Sequence, residues 1–256
     1  MKLSSIQKKE KPVVIKGIHA VEEALTSGKS IEKIFIEQGN RNESVLSLIR
    51  IAREREIPVQ NVPEVKLFQL GAAHQGIAAV VSPISFFKTE DIIAQAYERG
   101  QLPLLIICDR ITDVRNFGAI ARTAFAAGAH AIIIPQTETA SINTEAVKSS
   151  AGALMKLPVC REKNLLQAVK QLKLHGIQIL AAEAMGSKFI YQTDLKIPSA
   201  VILGSEGEGI SKEFLKIADE IVKLPMANTF DSYNVSVAAG MILYEVMKQR
   251  MSSNES

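Results

Sequence analysis

The chain has 256 residues, 47% of them hydrophobic, and 30 Lys and Arg against 27 Asp and Glu, for a net charge of +3. That length and composition exclude a disordered or fibrous chain and allow one large or two modest cores, while the near balance of 14 Lys and Arg against 12 Asp and Glu up to residue 100, and of 16 against 15 after it, excludes a basic tail as the source of any nucleic-acid binding. Two cysteines, Cys108 and Cys160, lie in apolar surroundings without a CxxC or a Cys/His cluster, which argues against a disulfide framework and a structural zinc; no metal is expected.

Residues 1–12, with Lys8, Lys9, Glu10 and Lys11, carry no apolar signal core and are expected to be a flexible start. No run of 18 apolar residues occurs, so no membrane contact is expected and the cytoplasm is the expected location. From there, periodicity predicts a short helix over 17–25, an alternating strand over 31–37, an amphipathic helix over 43–56 and a strand over 77–81. These make a small α/β unit spanning 13–82. Arg41, Arg50, Arg53 and Arg55 fall on or beside its second helix, where interleaved Glu54 and Glu56 favour a solvated face. His74, Gln75 and Gly76 either contact a ligand or form the turn before the strand at Ile77. Pro83 and Pro103 then bracket a helical stretch over 89–99 that reads as a linker, 83–103.

From 104 onward strands alternate with helices: 104–108, 118–127, 131–134, 144–150, 165–174, 178–182, 200–203 and a last helix over 235–250. That is the rhythm of a parallel sheet covered on both faces, in a second domain spanning 104–250 with a flexible tail, 251–256. Small residues over 149–152 suit close packing of a helix on the sheet.

Three polar clusters each follow an apolar run short enough to be a buried strand: Asn116 to Arg122, Gly204 to Gly209, and Ser232 to Ser236. In open α/β sheets the crevice outside the carboxyl ends of the strands is where ligands bind, so the three can share one site. In the first, Thr112 or Asp113 can cap a helix beginning near Asn116, and Arg115 and Arg122, seven residues apart, share a face of it. In the second, the spacing is not GxGxxG, and Glu206 and Glu208 would repel a pyrophosphate. A cationic cofactor tolerates that environment, and the glycines permit close backbone approach. In the third, Ser232 or Asn234 can cap the long last helix.

At these residues the chain resembles the SpoU/TrmH family of SPOUT RNA 2'-O-ribose methyltransferases. Asn116, Gly118 and Arg122 match the first family motif, Gly204, Glu206 and Gly209 the second, and Leu224, Pro225 and Met226 with Ser232, Asn234 and Val235 the third. The front unit, with Gly17 to Val21 near its start and His74 to Gly76 near its end, is similar to the ribosomal-protein-like RNA-binding domain of the large-subunit rRNA methyltransferases of this family.

The resemblance implies an α/β fold with a deep trefoil knot in the last segments, a bound S-adenosylmethionine, and a homodimer whose active site borrows from both chains. It implies that Gly204, Leu224, Met226 and Tyr233 bind the cofactor and that Arg122, Asn116, Glu206, Ser232 and Asn234 surround the ribose hydroxyl. The implied partner is RNA, with a 23S ribosomal RNA guanosine as target and tRNA as the alternative. Three positions depart from the pattern. Val114 stands where many members have proline, Asn228 where glycine is usual, and Tyr233 where leucine is common, which puts the shape of the cofactor pocket in question.

Methyl transfer from a sulfonium to an oxygen cancels charge, so a dry site favours its transition state. A guanidinium neutralised near pH 7 costs on the order of 8 to 9 kcal/mol. Arg122 is therefore expected to stay charged and stabilise the alkoxide, with Glu206 and Asn116 orienting it. A non-catalytic RNA-binding protein would have no reason to keep the five site residues together. A dehydrogenase or kinase-like protein lacks its phosphate loop.

Overall fold

The structure, a computed structural model, describes residues 13–228 and 231–252. The expected flexible start lies outside the described residues, as do the last four residues of the expected tail. The chain divides into two compact units, residues up to Ile84 with Ile142–Glu145, and Ser85–Ser141 with Ala146–Ser256.

The first unit contains β1 (Val14–Lys16), α1 (Ile18–Thr26), β2 (Ile31–Glu37), α2 (Glu43–Glu54), β3 (Val59–Val62), α3 (Glu64–Leu70) and β4 (Ile77–Val81). Its sheet runs β1-β4-β2-β3, with β2 and β3 parallel and the other pairs antiparallel. The period-2 side-chain alternation of β2 explains both covered faces. Ile34 and Ile36 pack with Val21 and Leu25 of α1 and Val45 and Leu48 of α2, while Phe35 turns to the other face with Leu67 of α3. Helix α2 starts at Asn42, whose side chain accepts from the amides of Ser44 and Val45. Arg50 and Arg53 are exposed, and Arg55 donates to the carbonyl of Leu25.

The turn before β4 is built from its own side chains. His74 is buried, and its Nδ1 accepts from the Gly76 amide at 3.0 Å. Gln75, at φ 48°, accepts the Ile18 amide at 3.0 Å. It thereby caps α1, whose own cap position is a glycine without a side-chain acceptor.

In the second unit, which takes α6 from Ala146 on, β5 (Phe86–Phe87) and α4 (Thr89–Glu98) precede β6 (Leu104–Cys108), α5 (Val114–Ala126), β7 (Ala131–Pro135), α6 (Thr144–Ser149), β8 (Val159–Glu162) and α7 (Leu165–Leu174). Then follow β9 (Gln178–Ala182), β10 (Lys188–Phe189), β11 (Ser199–Leu203), α8 (Lys212–Ile217), β12 (Glu220–Lys223) and α9 (Val235–Met251). The stretch expected as a linker is packed into this unit. Phe86 and Phe87 pair with β8, and Ile92 and Ile93 of α4 are buried in the core. The prolines at its ends do not loosen what lies between them.

The sheet runs β10-β12-β9-β11-β6-β7-β8-β5, and every pairing is parallel. Strands β6 and β11 lie inside it and are buried at every position, which is why they read as unbroken apolar runs. Helix α5 begins at Val114, two residues before the expected start, because Asp113 accepts the amides of Arg115 and Asn116 at 2.9 and 2.8 Å. A Cβ on Gly118 would lie 2.5 Å from that of Ser149, so this glycine lets α5 close onto the end of α6. At the far end of α9, Arg250 donates to the carbonyls of Leu102, Pro103, Leu195 and Ile197, tying the last helix to the start of β6. Among the described residues no helix is long and apolar enough to cross a membrane, and no group of three or more His, Cys, Asp or Glu could hold a metal.

Candidate active site

Register brings the carboxyl ends of four strands level. Leu203 pairs with Cys108 on one side and Ala182 on the other, and Ala182 pairs with Val222. The next residues, Asp109, Gly204 and Glu183, therefore leave the sheet along one edge, beside Lys223, the last residue of β12. This is the edge where open α/β sheets bind ligands.

After β11 the chain turns back on itself. Ser205 and Gly209 exchange backbone hydrogen bonds of 3.1 and 3.0 Å, with Gly207 at φ 101° and Gly209 at φ 68°. Gly204 is required for another reason. A Cβ there would lie 2.2 Å from the Gly209 carbonyl carbon, inside backbone that cannot swing aside. The turn is held from β6 by Arg110, at φ 55°, which donates to the Glu208 carboxylate, to the Gly209 carbonyl at 3.2 Å and to Asp109 at 3.3 Å. The Asp109 carboxylate, ahead of Glu208, raises the Arg110 guanidinium above its ordinary range. Asp109 is buried and accepts the amide and hydroxyl of Ser211, each at 2.7 Å. Burial, then the Asp109 charge, pushes the Cys108 thiol up to about 12, so it is not a thiolate nucleophile at neutral pH.

The turn presents Glu206 to two amides. Asn116 Nδ2 donates to Glu206 Oε1 at 2.9 Å, and Asn234 Nδ2 donates to the same oxygen at 2.6 Å and to Asn116 Oδ1 at 3.1 Å. Asn234 is also the cap of α9, its Oδ1 accepting the amides of Ser236 and Val237 and the Ser236 hydroxyl. Residues 118 positions apart in the chain thus meet in one network.

Beside it lies a cavity of about 600 Å³. Gly204, Leu224, Met226 and Tyr233 line it, as do Glu206, Ser232 and Asn234. Tyr233 fits there because its hydroxyl donates to the Pro225 carbonyl at 2.9 Å. Val114 occupies the first turn of α5, where proline is equally tolerated. Arg122 stands apart. It is exposed on α5, six residues after Asn116, hence roughly 9 Å further along the helix and about 120° around it. It makes no hydrogen bond to the network among the described residues. Sequence reasoning missed Glu183, which lines the cavity at the end of β9. The signal was present, since it follows an apolar run as the three clusters do, but a single acidic residue did not stand out.

Residues 103–244 match the family model described as SpoU rRNA Methylase family, and residues 14–87 match that for RNA 2'-O ribose methyltransferase substrate binding. A protein of Staphylococcus haemolyticus (strain JCSC1435), named for the TrmH family of tRNA/rRNA methyltransferases, is 36% identical over 239 residues, 93% of this chain and 96% of that protein. The AdoMet-bound rRNA methyltransferase from Sinorhizobium meliloti superposes with a TM-score of 0.59 at 25% identity, covering 92% of this chain and 86% of that one. The TrmH/SpoU tRNA modifying enzyme of A. aeolicus superposes with a TM-score of 0.55 at 29% identity, covering 64% of this chain and 86% of that one.

Proposed function

This chain belongs to the SpoU rRNA methylase family and is an RNA methyltransferase, and from that premise we propose that it methylates the 2'-hydroxyl of a ribose in RNA, using S-adenosylmethionine. The observation that carries the reading is the mutual bonding of Asn116, Glu206 and Asn234 beside a cavity of about 600 Å³.

The cavity suits that cofactor on three counts. Its volume lies in the range of small-molecule sites. Gly204 and Gly209 present bare backbone on its wall, and the turn leaves no room for a Cβ at either. Glu183, Glu206, Glu208 and Asp231 line it against Lys223 as the one lysine or arginine among the described lining residues, which favours a cation over a phosphate. Gly204, Leu224, Met226 and Tyr233 would hold the cofactor. When bound, it supplies an electrophilic methyl on a positively charged sulfur. Glu206, with Asn116, Asn234 and Ser232, orients the ribose hydroxyl, and the guanidinium of the partner's Arg122 stabilises the oxygen as its proton passes to water. A single-turnover rate that climbs steeply with pH in the wild type, and loses that climb in Arg122→Ala but not in Glu206→Ala, would instead make the guanidinium the base.

Gly204→Ala is expected to weaken S-adenosylmethionine binding about tenfold or more by isothermal titration, because the turn must move as backbone. Unchanged affinity would place the cofactor elsewhere.

The proposed target is a guanosine of 23S ribosomal RNA. An rRNA methyltransferase matches nearly the whole chain, whereas the tRNA modifying enzyme matches a smaller share, and the front unit matches the substrate-binding model. We also propose a cytoplasmic homodimer, with the last segments in the deep trefoil knot. Helices α5 and α9 pack on each other and leave Phe125, Val237, Met241 and Tyr244 exposed, an apolar face that a second copy would cover. Mapping 2'-O-methyls in cells lacking the protein is expected to find one guanosine of 23S rRNA unmodified. Loss from a tRNA would move the substrate, and loss from neither would end the reading.

A further inference from the structure

Among the described residues Glu183 is a carboxylate without a paired cation. It leaves β9 between Gly204 and Lys223, level with both, because β9 lies between β11 and β12. It is half-buried in the cavity wall. A Cβ on Gly209 would lie 2.9 Å from its Oε2, so the carboxylate fills the space that this glycine leaves. Its one hydrogen bond among the described residues is the Ile210 amide, donating to Oε2 at 3.3 Å.

Four of the neighbouring charged groups are engaged, Asp231 aside. Arg110 pairs with Glu208, two side-chain amides hold Glu206, and the Lys223 ammonium sits 5.0 Å from the centre of the Phe189 ring. A partly desolvated carboxylate with one weak backbone donor leaves a place for a positive partner.

We infer that Glu183 is the counter-charge for a cationic group of the bound methyl donor, and that it sets the preference of the cavity for charged over neutral adenosyl ligands. The inference rests on the reading that the cavity takes S-adenosylmethionine. The donor carries two candidates, an ammonium and a sulfonium, and three ligands separate them. S-adenosylhomocysteine keeps only the ammonium, and methylthioadenosine keeps neither while retaining the ribose and adenine.

The test is isothermal titration of the full chain and of Glu183→Gln, which keeps an acceptor for the Ile210 amide. S-adenosylmethionine is expected to bind the variant about 10- to 100-fold more weakly, with methylthioadenosine changed less than about 2-fold. An equal loss for S-adenosylhomocysteine assigns the ammonium; an unchanged S-adenosylhomocysteine assigns the sulfonium. S-adenosylmethionine affinity equal in wild type and variant overturns the inference, as does an equal loss for methylthioadenosine, which would make Glu183 a ribose contact. Glu183→Asp, which keeps the charge, is expected to retain the preference for S-adenosylmethionine over methylthioadenosine, and its loss there would also count against the inference. Wild type that fails to bind S-adenosylmethionine at all refutes the cofactor reading itself.

Discussion

Asn234→Ser is expected to lower kcat for methyl transfer about 100-fold while the thermal midpoint moves by no more than about 2 °C. Asn234 has two separable jobs. Its Oδ1 caps α9, and its Nδ2 donates to Glu206 and Asn116. Serine caps a helix about as well as asparagine, so the first job survives. The second is lost, because the shorter side chain cannot span the distance to Glu206. Glu206 then keeps the Asn116 donor and is freer to rotate. Alanine at the same position removes both functions and is expected to lower stability by about 1 kcal/mol as well. Single-turnover rates with calorimetry on both variants separate the two effects. A serine variant with wild-type kcat would reduce the network to a structural cap, and the assignment of Asn116, Glu206 and Asn234 to the reaction would go with it.

How far the sequence reaches can be judged from particular residues. Leu104–Cys108 and Ser199–Leu203 are legible because inner strands of a parallel sheet need apolar side chains on both faces. Val159–Glu162, Lys188–Phe189 and Lys212–Ile217 are not, because each is too short to establish a period and two of them lie near or at the sheet margin. Val59–Val62 and Glu64–Leu70 escape for a related reason: each shows few residues to its core, and Val65 and Phe68 of the helix are exposed. Asn116, Glu206 and Asn234 could be singled out because each follows an apolar run. That they bond one another depends on strand order, since β11 lies beside β6, and strand order is not written in local pattern. Asp109 and Arg110 carry no motif, and Glu183 has only its place after an apolar run. Their roles emerge only when pairing register aligns the strand ends and the left-handed backbone at Arg110 turns its guanidinium onto the glycine turn.

A heterodimer of one Arg122→Ala chain and one Asn234→Ser chain, isolated through two different affinity tags, is expected to recover about half the wild-type rate, although either homodimer is nearly inactive. The expectation follows from where Arg122 sits. It is exposed, on a different side of α5 from Asn116, and outside the hydrogen-bonded network of its own chain. Helix α5 packs against α9, and the two share the exposed apolar residues that a second copy would cover. In a closed two-fold dimer each face meets its own equivalent, so an arginine near that face is delivered to the partner's network and not to its own. The heterodimer then holds one site with both Arg122 and Asn234 and one with neither. Were Arg122 to serve its own chain, each site would lack one of the two and the heterodimer would stay at the level of the homodimers, about 1% or below. Full wild-type activity in the Arg122→Ala homodimer would remove the arginine from the chemistry altogether, whichever chain it belongs to.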